Sequence, residues 1–344
     1  ALNIKLTANI DFKDTTKVQY FGVGGIVGYA NLTSVNGLIY TQEDIMTGVV
    51  STYSLINSVS INSINVDVQN YSNELDVGGA IGVIAAATGT TGVENIQVTK
   101  SSVDTGKISV KNNTLSQINA TNVAGVVGKV QNTNIVDVSA ELEEISVNKD
   151  LTDESSAKTR VGGIAGSIEN ATKVANGYTK INKIYVQSAI SATHNLITSI
   201  GGAFGEVDLS ADSSVPTNVI IGSISRIVSN VNTLESYSTV TSATKLTKNI
   251  GGLIGTLHNG SVNESGANVN IVNGANSTIN GNYNIGGFVG VVDIDPNNKI
   301  ISAATNISRA VITNSYSTGY IEDNEALKAT QSRDGLFVGA VNYK

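Results

Sequence analysis

The sequence predicts an all-β protein, a parallel and by expectation right-handed β-solenoid of about eight coils, and three observations carry that prediction. A short glycine unit, Gly-Gly-apolar-apolar-Gly, recurs along the whole chain of 344 residues. Between its copies lie short runs in which Val or Ile alternates with Asn, Ser, Thr or Asp. Only 14% of residues are charged while 40% are hydrophobic, so polarity comes from small side chains that suit turns and strand faces, not from long helical ones.

The glycine units come first because a missed period would misassign the fold. They read GGIVG (Gly24, Gly25, Gly28), GGAIG (Gly78, Gly79, Gly82), AGVVG (starting at Ala124, with Gly125 and Gly128) and GGIAG (Gly162, Gly163, Gly166). GGAFG (Gly201, Gly202, Gly205), GGLIG (Gly251, Gly252, Gly255) and GGFVG (Gly286, Gly287, Gly290) follow. GLFVG, starting at Gly335, reads as an eighth, degenerate copy with one extra residue. Each of the first seven is preceded by Val or Ile, from Val23 to Ile285. Their start-to-start spacings are 54, 46, 38, 39, 50 and 35 residues, so a short shared core is joined by loops of variable length. In stacked coils the same position lies above itself about 4.8 Å away, so a close backbone approach must be met by a residue without Cβ in every turn.

The alternating runs supply the strands. Ile64, Val66 and Val68, then Ile96 and Val98, Ile108 and Val110, Val136, Val138 and Ala140, Ile184 and Val186, and Val269 and Ile271 each predict one buried and one wet face. A 35-residue unit holds three strands; the longest unit needs a long loop or a second partial coil. Pro216 and Pro296 fall in loops, which leaves the strands free of a residue that removes a ladder donor. One repeat array spans 1–344, opened by a strand segment within 1–20.

At this point the units resemble the GLUG motif, a glycine repeat of bacterial surface adhesins. Two flanking segments strengthen the likeness: ITNSYSTG at Ile312 to Gly319 is similar to the family's Asn-Ser-Tyr-Ala-Thr-Gly, and LTANIDF at Leu6 to Phe12 to the stretch that opens such arrays. The resemblance implies a β-helical repeat region displayed outside the cell.

Composition narrows the function. The net charge of -7 and pI near 4.9, with no basic cluster, argue against nucleic acid as a partner. No run approaches the roughly 18 to 20 apolar residues of a membrane helix. Without cysteine there is neither a disulfide framework nor a thiolate metal site. His194 and His258 lie in separate loops with no acidic residue at triad or metal-ligand spacing in the sequence. Asp293, Asp295, Asn297 and Asn298 offer alternating oxygen ligands of the kind calcium takes, although Asp-Pro-Asn-Asn is also an ordinary turn. Glu141, Glu143 and Glu144 hold the two carboxylates that glycoside hydrolysis requires, and also read as a solvated strand face. The glycine units lack the helix and the Gly-Lys-Ser/Thr of a phosphate loop. There is no Trp for a sugar platform, and the 12 Tyr are spread along the array as core caps, turn residues or a sparse binding stripe. No threonine column marks an ice-binding face.

The expectation is therefore a non-catalytic extracellular or cell-surface protein, a stalk or ligand-binding segment of an adhesin that meets a host or environmental glycan or protein. Its binding loops would fall in 29–77, 83–123 and 206–250. The alternatives are a self-associating filament subunit and a polysaccharide-active β-helix enzyme, which would need a cluster of Asp, Lys, Arg or His on one face.

Overall fold

A computed structural model describes residues 2–9, 20–32, 54–69, 74–86, 91–100, 105–114, 120–151, 157–170, 173–190, 195–209, 222–240, 245–276, 281–294, 301–302, 305–306, 310–325 and 331–343. Among these residues there is no helix, and three large sheets of parallel strands wrap one core. The chain is a parallel β-solenoid.

One coil shows the path. A leading strand Ala157–Gly162 runs into the Gly163-Ile164 corner, a trailing strand Ala165–Glu169 leaves it, and a long strand Lys173–Ile190 returns the chain to the next leading strand, Asn195–Gly201. Leading strands stack in one eight-stranded sheet, trailing strands in another, and long strands in a twelve-stranded sheet. Each glycine unit contributes one leading and one trailing strand to these sheets, and the residues that lengthen the longest unit, 33–53, lie outside the described residues. The opening strand Leu2–Asn9 is the first rung of the long sheet, paired with Ser54–Gln69. Both prolines lie outside the described residues.

Register confirms the glycine columns. Gly24 pairs with Gly78, Gly78 with Ala124, Gly162 with Gly201, and Gly286 with Gly335. Val338 faces Val289, so the eighth unit carries no extra residue; Leu336 simply replaces the second glycine. Its side chain is 89% exposed. None of the unit glycines has a positive φ; close approach is what excludes a side chain. A Cβ on Gly78 would lie 2.6 Å from the Val126 carbonyl of the next coil, and one on Gly163 would lie 2.6 Å from Thr179 Cγ2 in the long sheet.

The turns that do need a left-handed backbone are elsewhere. Asp137, Asn176, Arg226, Glu264 and Asn314 all have φ near +50° and stack as one corner within the long sheet. Asn and Asp tolerate this conformation because their short polar side chains bond locally; here they bond along the column, Asn176 Nδ2 donating to Asp137 Oδ1 at 2.7 Å. The corner shifts the alternation by one residue. Ile135 and Val138 therefore point inward and Val136, expected in the core, is half-exposed. The Asn-Ser-Tyr segment occupies this corner in the last coil: Ser315 Oγ accepts from the Ser265 amide, and Ser265 Oγ from the Ile227 amide one coil back.

The core is built from columns such as Ile145, Ile184, Leu234 and Ile271, all fully buried and aligned from coil to coil. At about 1.5–3 kcal/mol per fully buried aliphatic side chain against about 0–1 for an exposed ion pair, these columns dominate stability. Near the C-terminal end of the array Phe288 stacks on Phe337 with centroids 4.7 Å apart.

Candidate functional site

The ladder of the long strands is interrupted after Leu142, Ile181 and Val231, where it skips Glu143, Asn182 and Asn232. At this break Asn182 and Asn232 are exposed and Glu143 is half-buried, in successive coils. They form a chain of hydrogen bonds across the coils. Lys100 Nζ donates to Glu143 at 2.5 Å, Asn182 Nδ2 to Glu143 at 2.7 Å, and Asn232 Nδ2 to Asn182 at 3.0 Å. The next outward column, two residues earlier, is Glu141, Lys180, Asn230 and Asn268.

Together with Tyr178 these side chains enclose a groove of about 500 Å³, floored by Leu142 and Ile181. The hydrogen bond from Lys100 holds the Glu143 carboxyl below its usual range, and Asn182 adds to this against partial desolvation. Lys180 makes no ion pair with any described residue. The groove therefore presents two carboxylates, one of them paired with Lys100, one unengaged cation, a phenol ring and a set of amides that both donate and accept.

A second polar line runs between the leading and trailing sheets. Asn122 bridges Asp76 and Arg160, bonding them at 2.5 and 3.2 Å. Arg160 donates a hydrogen bond from Nη2 to Glu206 Oε1 at 3.1 Å, and its Nε lies 2.8 Å from Oε2 as an ion-pair contact without hydrogen-bond geometry. His258 Nε2 lies 3.4 Å from Glu206, and its Nδ1 is 3.1 Å from the Asp293 carbonyl oxygen and 3.9 Å from that residue's carboxylate. Linear spacing gave His258 no acidic partner; stacking gives it two. Burial works against its charge, but Glu206, Asp208 and the Asp293 carbonyl outweigh it and raise its pKa. The same contacts, from His258 and Arg160, depress Glu206 well below the carboxylate range despite its burial. Alongside, burial disfavours the Lys129 charge, and Glu169, Glu74 and Asp76 more than restore it, Glu74 at 3.1 Å.

No family model, curated protein or solved structure matches the chain. Function must be read from the groove and its neighbours.

The structure sorts the sequence candidates. Glu141 and Glu143 share the groove, on the outward face expected of them, and Glu144 is half-exposed beside it. Asp293 is turned to His258, while Asp295, Asn297 and Asn298 lie outside the described residues, as does His194. Among the described residues no three His, Asp or Glu gather as a metal site, and no helix is long and apolar enough to cross a membrane. Of the tyrosines, Tyr178 reaches the groove, Tyr283 is buried, and the Tyr316 ring covers Gly266. Much of the loop set 29–77, 83–123 and 206–250 lies outside the described residues; Lys100, Asn230 and Asn232 fall within it and line the groove.

Lys100, Tyr178, Lys180, Asn182, Asn230, Asn232 and Asn268 were not singled out by the sequence. A signal was available: Glu143, Asn182 and Asn232 precede the next unit, at Gly162, Gly201 and Gly251, by the same number of residues. Aligning the repeats on the following glycine, and not the preceding one, stacks them.

Proposed function

We propose that this chain is a non-catalytic extracellular repeat scaffold of a surface adhesin, related to the GLUG-motif proteins its units resemble, and that the long-sheet groove binds a glycan. The observation that carries the reading is the groove itself, in which consecutive coils present amide side chains at repeated positions. Sugar hydroxyls donate and accept at once, and Asn amides match both roles. Tyr178 adds an aromatic edge for an apolar sugar face.

Binding suits the groove better than hydrolysis. A glycosidase needs one carboxyl held protonated with a raised pKa, and the Lys100 and Asn182 contacts push Glu143 the opposite way. Adhesion also ranks ahead of filament growth, because Leu336 stands in the column where stacked coils need glycine.

A glycan array probed with the whole chain tests the proposal. Asn182→Ala combined with Asn230→Ala is expected to weaken the selected glycan at least tenfold, from two lost hydrogen bonds of about 1 kcal/mol each. A chain that selects no glycan, or one whose binding survives the double substitution unchanged, overturns it.

A further inference from the structure

The groove has a direction and a step. Its lining comes from four long strands in succession, Thr133–Leu151, Lys173–Ile190, Ser223–Val240 and Gly266–Asn276, so it crosses the strands and runs along the solenoid axis. Glu141, Lys180, Asn230 and Asn268 are successive register partners, one to each coil. Neighbouring strands lie about 4.8 Å apart, so these four positions span about 14 Å in three equal steps. Glu143, Asn182 and Asn232 make a second column two residues further along each strand, about 7 Å away at the ordinary rise per residue. That width is one sugar ring.

The side chains keep hydrogen-bonding capacity at every step. Asn230 makes no side-chain hydrogen bond to another described residue. Asn232 uses one N–H on Asn182, and Asn268 accepts from Thr318 Oγ1 at 3.1 Å, which leaves each amide with both donor and acceptor capacity. Glu141 and Lys180 are register partners yet form no ion pair, so both charged groups stay open to a ligand. Charge does not favour a polyanion: Lys100 and Lys180 balance Glu141 and Glu143.

Resting on the glycan reading of this groove, we infer that its ligand is an uncharged, extended oligosaccharide of the β-1,4-linked hexose kind, lying along the solenoid axis with one sugar to each coil. A chain joined through equatorial bonds at opposite ends of each ring stays straight and advances by nearly the strand spacing, so successive rings meet successive rungs in phase. A ring hydroxyl donates and accepts at once, and one ring thus bridges the Glu141 carboxylate and the Lys180 ammonium that do not reach each other. Tyr178, two residues before Lys180 on the same strand face, meets the apolar face of a ring. An α-1,4-linked chain curls and leaves the rungs after its first rings.

Isothermal titration calorimetry of the full chain tests this with β-1,4-linked oligomers of glucose, mannose and N-acetylglucosamine, one to six sugars long, and with α-1,4-linked glucose oligomers as the curled control. At least one β-1,4 series is expected to gain about fivefold in affinity with each sugar up to the fourth and nothing beyond, one hydrogen-bonded rung per step. The α-1,4 series is expected to gain nothing after the second sugar. Asn268→Ala, at an exposed position of the last coil in the groove, is expected to end the gain at the third sugar and to leave shorter oligomers unchanged. Affinity independent of length, an equal gain in the α-1,4 series, an unaltered length profile in Asn268→Ala, or no binding by any β-1,4 series overturns the inference. The glycan reading itself outlives those results if the array selects another glycan that the Asn182 and Asn230 substitutions weaken; an array on which nothing binds removes both.

Discussion

Adding one methyl group to Gly202 tests the account of the glycine columns. Its Cβ would press into the Gly252 carbonyl of the next coil and the Ser229 hydroxyl, with Ser229 Cβ 3.3 Å away. The hydroxyl can rotate, but the carbonyl is ladder backbone. The Gly202 amide already bonds the Gly252 and Gly251 carbonyls at 3.2 and 3.3 Å, so separating the coils by about 1 Å takes both bonds past useful length. Losing them costs about 1 kcal/mol each, overpacking adds about 1–3 kcal/mol, and the stiffer unfolded chain returns about 0.4–1 kcal/mol. The net destabilisation of Gly202→Ala is about 2–5 kcal/mol. Gly274→Ala is the control: its Cβ meets only the Tyr237 ring, at 3.0 and 3.5 Å, and a ring can tilt. Urea unfolding followed by circular dichroism should separate the two variants clearly, Gly274→Ala staying within about 1 kcal/mol of wild type. Equal midpoints for both would refute the close-approach argument.

Other outcomes follow from the polar interior. His258 has a folded pKa above its ordinary 6.5, so its contribution is complete below that value and lost as pH rises through the folded pKa; Glu206, depressed from 4.5, contributes above 4.5 and loses it in acid. The deficit of His258→Gln in urea midpoint should therefore be largest between about pH 4.5 and 6.5 and fade in alkali; a deficit independent of pH would count against the ion pair. Burial lowers Lys149 from 10.5 to about 7, with Arg160 adding repulsion. Burying its ammonium costs stability in full below about pH 7 and progressively less up to 10.5, so Lys149→Met should raise the midpoint most at and below about pH 7, and a lowered midpoint would refute this. Phe204→Ala, at a fully buried site, should lose about 3–5 kcal/mol in the same assay.

The architecture was legible because repetition writes it eight times: each glycine column and the inward positions of most strands are visible in the spacing alone. The phase of the long strands was not. A left-handed Asp137 looks like any outward polar residue, and its one-residue slip moved Val136 out of the core. The groove was half-legible. Glu141 and Glu143 drew notice as carboxylates, but Asn182 and Asn232 are ordinary residues in an Asn-rich chain, and only stacking makes them neighbours. His258 makes the same point for charge, since Glu206 and Asp293 reach it from the preceding and following coils.

Leu336 bears on length control. At the other described positions of its column there is no side chain, and a Cβ on Gly287 would collide with the Leu336 carbonyl. Any strand laid on the Leu336 face in the common register, from this chain or another, would bring its own carbonyl against that side chain in the same way. Keeping the second glycine is thus what leaves room for an in-register strand on a coil, and a leucine at that position fills the room.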